Sequence, residues 1–205
     1  MGELRESKKR ETRQRISNVA TELFYARGFD AVTIEEIAAA ANVSKMTVFN
    51  YFARKEDLLL DREDDLKLRF VRDALRERPK GQSLVAALRS LVERLREQKH
   101  VYTRIDSQII GWWRVVAASP ALQARLREIY DEAVEELALE LGGRKPDGSA
   151  RLIAGMIVLT WRTAHAEAVR VFEQGGSAKK ANATFMTLLD RGFRAVHAMS
   201  TQPSR

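Results

Sequence analysis

The 205-residue sequence has no cysteine and only four prolines, three tryptophans and three histidines. Without cysteine there is no disulfide, no thiolate nucleophile and no cysteine-based zinc site, and a reducing compartment is allowed. His100, His165 and His197 are scattered and form no paired-histidine metal motif, so no metal and no cofactor is expected. P-loop and nucleophile-elbow patterns are also missing. Ser177 and Lys180 formally match S-x-x-K, but they stand in a lysine-rich helix start with no companion motif, and chance is the better account. No catalytic residue is assigned. Long apolar runs are lacking too: the longest, Leu152 to Trp161, falls far short of the roughly 20 residues that span a bilayer. Arg5, Lys8, Lys9 and Arg10 open the chain with no apolar stretch behind them, so neither a signal peptide nor a membrane partner is expected.

What is abundant is positive charge, a formal net of +7. Its distribution is uninformative in bulk, since residues 1–57 hold ten basic and nine acidic side chains. Two local clusters stand out. Residues 1–15 carry six basic against three acidic groups, and residues 40–55 contain Lys45, Arg54 and Lys55 with no acid. A basic arm at residues 1–10 would be either solvated or placed to reach a nucleic-acid backbone or minor groove.

Apolar residues recur at three-and-four spacing from end to end and nowhere alternate over strand length, which predicts an all-α fold of about nine helices. Ile16, Val19, Ala20, Leu23 and Phe24 form one stripe, ended by Gly28 in a Schellman-type cap with Phe29. Thr33 and Glu36 read as a capping box ahead of Ile34, Ile37, Ala38 and Ala41. Asn42 suits a left-handed turn residue, and Ser44 is a natural N-cap for a third helix reaching Phe52. A single helix is expected from Lys55 to Arg78, about 36 Å at 1.5 Å per residue. Further starts are expected at Ser83, near Tyr102, at Ser119-Pro120, near Asp147 to Ser149 and at Ser177. The division expected is residues 1–55 and residues 56–205.

Two short helices joined by a turn, residues 33–52, match the arrangement in which the second helix enters the major groove. Val48 and Phe52 would face the core, while Lys45, Met46, Phe49 and Asn50 share the opposite face. Thr47 and Tyr51 lie at its edges, where hydroxyls reach phosphates, and Lys55 is placed for one more phosphate contact.

Residues 24–60, with the ordered series Phe24, Gly28, Phe29, Thr33, Ile37, Ala38, Val43, Ser44, Thr47, Phe52 and Lys55, closely resemble the N-terminal signature of TetR-family regulators. The resemblance implies DNA contacts at Thr33, Ser44, Lys45, Thr47, Phe49, Asn50, Tyr51 and Lys55, and Met46 shares their surface. It also implies a homodimer that releases a double-stranded DNA operator when a small-molecule effector enters the C-terminal domain. The expected location is then the bacterial cytoplasm, on the nucleoid when DNA-bound. Phe49 stands where the family usually has Tyr, Met46 where a small residue or Arg is common, and Asn42 where Gly is usual.

Beyond residue 60 the chain resembles the family only in length, helicity and a two-helix end. Trp112, Trp113, Trp161 and His165 are the candidate ligand-binding residues: three aromatics and one imidazole inside apolar stripes, a pattern that is otherwise ordinary core. Phe185, Leu188, Leu189 and Phe193 give the last helix an apolar face suited to a dimer interface. The function expected is a ligand-responsive dimeric repressor of a palindromic operator, released by a mostly apolar small molecule. Its rival is an all-helical enzyme or interaction module carrying a vestigial helix-turn-helix.

Overall fold

The computed structural model describes residues 2–60 and 66–201, with side chains from residue 5 onward. Among the described residues it contains nine α-helices, two 3-10 turns and no strand. None of the described helices is long and apolar enough to cross a membrane. The chain divides into two units: residues 1–63 with 111–127, and residues 64–110 with 128–205. The first unit thus runs beyond residue 55 and takes in a later segment.

In the first unit, α1 (Gly2–Arg27) packs Ile16, Ala20 and Phe24 into a core with α2 (Ile34–Ala40) and α3 (Lys45–Tyr51). Gly28, at φ 83°, ends α1 through one bond from its N–H to the Phe24 carbonyl. This is the single-bond αL cap and not the two-bond Schellman motif. The Schellman pair appears instead at Asn42, φ 52°, where Asn42 N–H bonds Ala39 O and Val43 N–H bonds Ala38 O at 3.1 and 2.9 Å. Thr33 and Glu36 form the reciprocal capping box, and Ser44 caps α3 through the Thr47 N–H. Segment 111–127 joins this unit through Ser119 on Asp30 and Arg125 on Asp57, both at 3.0 Å, and through the Trp112 indole donating to Leu59 O at 3.3 Å.

The expected continuous helix from Lys55 to Arg78 is not formed. The chain makes a 3-10 turn at Glu56–Leu58, and α4 (Arg69–Arg76) starts only after Leu68, whose φ of 53° no α-helix accommodates. The left-handed conformation costs Leu68 about 1–2 kcal/mol. Its side chain is buried, worth about 1.5–3 kcal/mol, and its carbonyl accepts from Val71 and Arg72 N–H, so tertiary packing offsets the local penalty.

The second unit holds α4, α5 (Leu84–Glu97), the 3-10 turn Val101–Thr103, α8 (Gly148–Glu173) and α9 (Ala178–Ser200). It also takes the first residues of α6 (Ser107–Ala118) and the later turns of α7 (Pro120–Gly142). The helix expected to start near Tyr102 begins at Ser107 as α6, after the 3-10 turn Val101–Thr103. Ser83, Asp147 and Ser177 cap their helices as expected. Helices α8 and α9 form a hairpin through Gln174–Ser177, with Gly175 left-handed at φ 86°. They approach so closely that a Cβ on Gly192 would lie 2.2 Å from Thr160 Oγ1 and Cγ2. Ion pairs bind α4 to α7: Arg72 to Glu136 at 2.8 Å and Arg76 to Glu140 at 3.3 Å.

Candidate nucleic-acid interface

Helix α3 is anchored by Val48 and by Phe52 just past its end, exposed at 0% and 2%, and everything else on it faces outward or lies at the edge. Met46 is 69% exposed and Phe49 46%, so two large apolar side chains stand in water beside Lys45 and Asn50. Exposure of that kind on one short helix marks a binding surface. Ser44 and Thr47 share a 2.8 Å hydroxyl contact at its start. Thr33 is exposed, but its hydroxyl and N–H are engaged with Glu36, whose carboxyl is pushed down to about 2 by the Thr33 N–H, with Arg27 assisting.

Two basic residues are less free than the sequence suggests. The Lys45 ammonium pairs with the Glu35 carboxylate and lies 6.0 Å from the Phe49 ring centroid. That bond holds Glu35 below the usual carboxylate range. The Lys55 ammonium donates to the Phe29 carbonyl at 2.6 Å and stacks on Phe29 at 4.2 Å and Phe24 at 5.8 Å. Burial lowers its pKa. Lys55 therefore closes the turn after α1 first, and serves a phosphate only by leaving it.

The basic arm is not a loose tail: it is helical from Gly2, continuous with α1. Arg5, Lys8, Lys9 and Thr12, spaced on one helix face, line a groove of about 800 Å³ with Glu6 and with Thr47, Asn50 and Tyr51 of α3. Arg13, one residue on, donates to the Tyr51 carbonyl and stacks 4.2 Å from Phe52, tying α1 to the end of α3. Sequence reasoning missed Glu35 as a member of this surface. The spacing of 5, 8, 9 and 12 is readable once helix is assumed; the Glu35–Lys45 pair depends on how α2 and α3 meet.

The candidate ligand residues divide between the units. Trp112 and Trp113, at 4.9 Å edge to face, belong to the first; Trp161 and His165 are buried in the second. Of the expected interface residues, Phe185, Leu189 and Phe193 are 0–2% exposed inside the second unit's own core, Phe185 and Phe193 beside Trp161, and Leu188 alone keeps partial exposure. The large aliphatics left uncovered are on α7 and α8: Leu139, Leu152 and Leu159 at 48–55%. Among the described residues no cluster of three acidic or histidine side chains gathers as a metal site.

A capped two-helix motif with an outward, partly apolar recognition face, joined to a helical second unit, defines a helix-turn-helix DNA-binding protein. The family model described as "Bacterial regulatory proteins, tetR family" matches residues 16–61. In sequence the chain is 31% identical over 147 residues to the HTH-type transcriptional regulator TcmR of Streptomyces glaucescens, covering 69% of this chain and 64% of that protein. Matches of this kind span less than two thirds of the length of the relatives concerned. Among solved structures, a TetR-family regulator from Streptomyces coelicolor A3 is 25% identical with a TM-score of 0.51, over 93% of this chain and 95% of that one. SmeT, solved with triclosan, has a TM-score of 0.54 at 21% identity, over 90% of this chain and 91% of its own. The chain carries the DNA-binding domain of the TetR family of bacterial regulatory proteins, and its fold is similar to that of TetR-family regulators.

Proposed function

We propose that this chain is a dimeric repressor whose α3 reads the major groove of a palindromic operator and whose second unit binds an effector that releases it. The observation that carries the reading is the α3 surface: Met46 and Phe49 exposed, Lys45 and Asn50 beside them, and the basic groove from Arg5 to Thr12 alongside. Asn50 suits bidentate recognition of adenine, and Lys45 suits guanine once Glu35 yields it. Lys8, Lys9 and Arg5 supply phosphate contacts that set register without reading sequence. Phe49 and Met46 offer apolar contact to thymine methyls.

Two recognition helices need a fixed relation, which a symmetric homodimer supplies. The face proposed for it is the outer side of α8, where Leu152 and Leu159 stand about half exposed one heptad apart, with Leu188 of α9 as a further candidate. The effector reading rests on the buried aromatic cluster around Trp161 and His165; a protein of the same fold was solved with triclosan. The test is protection mapping on DNA flanking the protein's own gene. An inverted repeat protected at moderate salt, with half-sites about one or two helical turns apart, is expected. Protection of no discrete sequence overturns the reading.

A further inference from the structure

Trp161 Nε1 and His165 Nδ1, both in the second unit, are buried with no hydrogen-bond partner. Four residues apart on α8, the two side chains share one face, and they are 1% and 5% exposed. The Trp161 ring is boxed by Phe70 at 5.4 Å, Phe185 at 5.9 Å and Phe193 at 6.5 Å. His165 packs against Phe185 at 4.7 Å and Tyr102 at 5.1 Å. None of these neighbours carries a formal charge.

The roles of the two orphan atoms follow from chemistry. An indole nitrogen only donates. His165 Nε2 lies 3.0 Å from the Tyr102 carbonyl oxygen, which only accepts, so Nε2 carries the proton and Nδ1 is left with a lone pair. Burial reinforces the neutral form by pushing the imidazole pKa down to about 4. One bare donor and one bare acceptor thus sit a helical turn apart between aromatic walls. Leaving such groups unmatched is costly, and each one in a native protein calls for an explanation.

Building on the effector reading, we infer that the effector of this chain is an uncharged, flat aromatic compound carrying a hydrogen-bond donor beside an acceptor, as in a cyclic aromatic amide. Its acceptor takes the Trp161 Nε1–H and its donor meets His165 Nδ1. A simple acyl chain would leave both atoms unmatched. A carboxylate would take the indole proton, set oxygen against the His165 lone pair, and find no cation among the rings named.

The test uses the full-length protein and three probes of one size in calorimetric titration: 2-quinolone, 1-methyl-2-quinolone, which lacks the donor, and 2-naphthoate, which is charged. We expect 2-quinolone to bind about tenfold or more tighter than either companion, the loss expected for one unmatched buried group. His165→Phe, checked by circular dichroism, should erase the preference over 1-methyl-2-quinolone, whereas Trp161→Phe should weaken both quinolones alike and leave it. Equal affinity for the three probes, a preference that survives His165→Phe, or no binding of 2-quinolone at about 1 mM overturns the inference. The wild-type probe series stands without the variants should either fail to fold. Operator retention is measured in parallel: selective 2-quinolone binding that leaves DNA retention unchanged upholds the recognition chemistry and overturns the effector reading on which it was built.

Discussion

Lys55 separates two accounts of the positive charge near the DNA surface. Its ammonium donates to the Phe29 carbonyl at 2.6 Å and covers the Phe29 ring at 4.2 Å. A charged hydrogen bond is worth about 1.5–3 kcal/mol and a cation over an aromatic ring about 0.5–1 kcal/mol at an exposed site. Since Lys55 is only half-buried, the lower ends apply, and Lys55→Ala should cost about 2 kcal/mol of stability. For a chain of this size that lowers the thermal midpoint by roughly 4 to 8 °C. Lys8 and Lys9, on the α1 groove, make no such bond to the fold, so their loss should leave stability unchanged and reduce the salt slope of DNA binding by about one each. Urea denaturation and fluorescence anisotropy on a labelled operator at several salt concentrations measure both quantities. An unchanged midpoint for Lys55→Ala, together with a slope reduced by about one, would refute the reasoning and return Lys55 to the phosphates.

Asn50→Ala should relax preference at a single operator position by about 1–3 kcal/mol, visible as a flattened row in a base-substitution series; uniform weakening on every sequence argues against base reading. His165 is held neutral with its pKa lowered to about 4, so the unfolded chain takes up a proton near pH 6.5 that the folded chain refuses until pH 4. Stability should therefore be full above pH 6.5 and fall as pH drops toward 4, by about 3 kcal/mol, with His165→Phe flattening that drop in a pH series of urea midpoints. Gly192→Ala should destabilise by about 1–3 kcal/mol despite its better helix propensity, since the new Cβ lies 2.2 Å from Thr160; stabilisation instead would mean that the hairpin helices do not meet there. Leu159→Glu should yield folded monomers with weak operator binding, and sedimentation showing an intact dimer would move the interface off α8.

The helix ends were the most legible part of the sequence because caps are local. Thr33 with Glu36, Asn42, Ser44, Ser83, Asp147 and Ser177 each act within five residues of themselves. The recognition face was legible for the same reason, since Val48 and Phe52 against Met46 and Phe49 is a question of helical phase. Tertiary packing decided the rest. Nothing local announces that Leu68 turns left-handed, because the compensation is the burial of its side chain. Lys55 meets a carbonyl 26 residues away. The stripe of Phe185, Leu189 and Phe193 states that a face is covered without stating by what, and here the chain covers it itself. Trp112 and Trp161 look alike in sequence; only the fold assigns them to separate units.

That last separation makes the molecule its own optical instrument. Trp112 and Trp113 report on the unit that carries the proposed DNA surface, and Trp161 on the other. A chain with phenylalanine at 112 and 113 would emit from Trp161 alone, shifted to the blue by its apolar surroundings, and its emission would follow occupancy of the second unit without interference from DNA. The unaltered chain adds the signal of Trp112 and Trp113, so the difference between the two emissions would follow the first unit. Changes in the two units could then be timed in parallel mixing experiments, using no label but the residues already present.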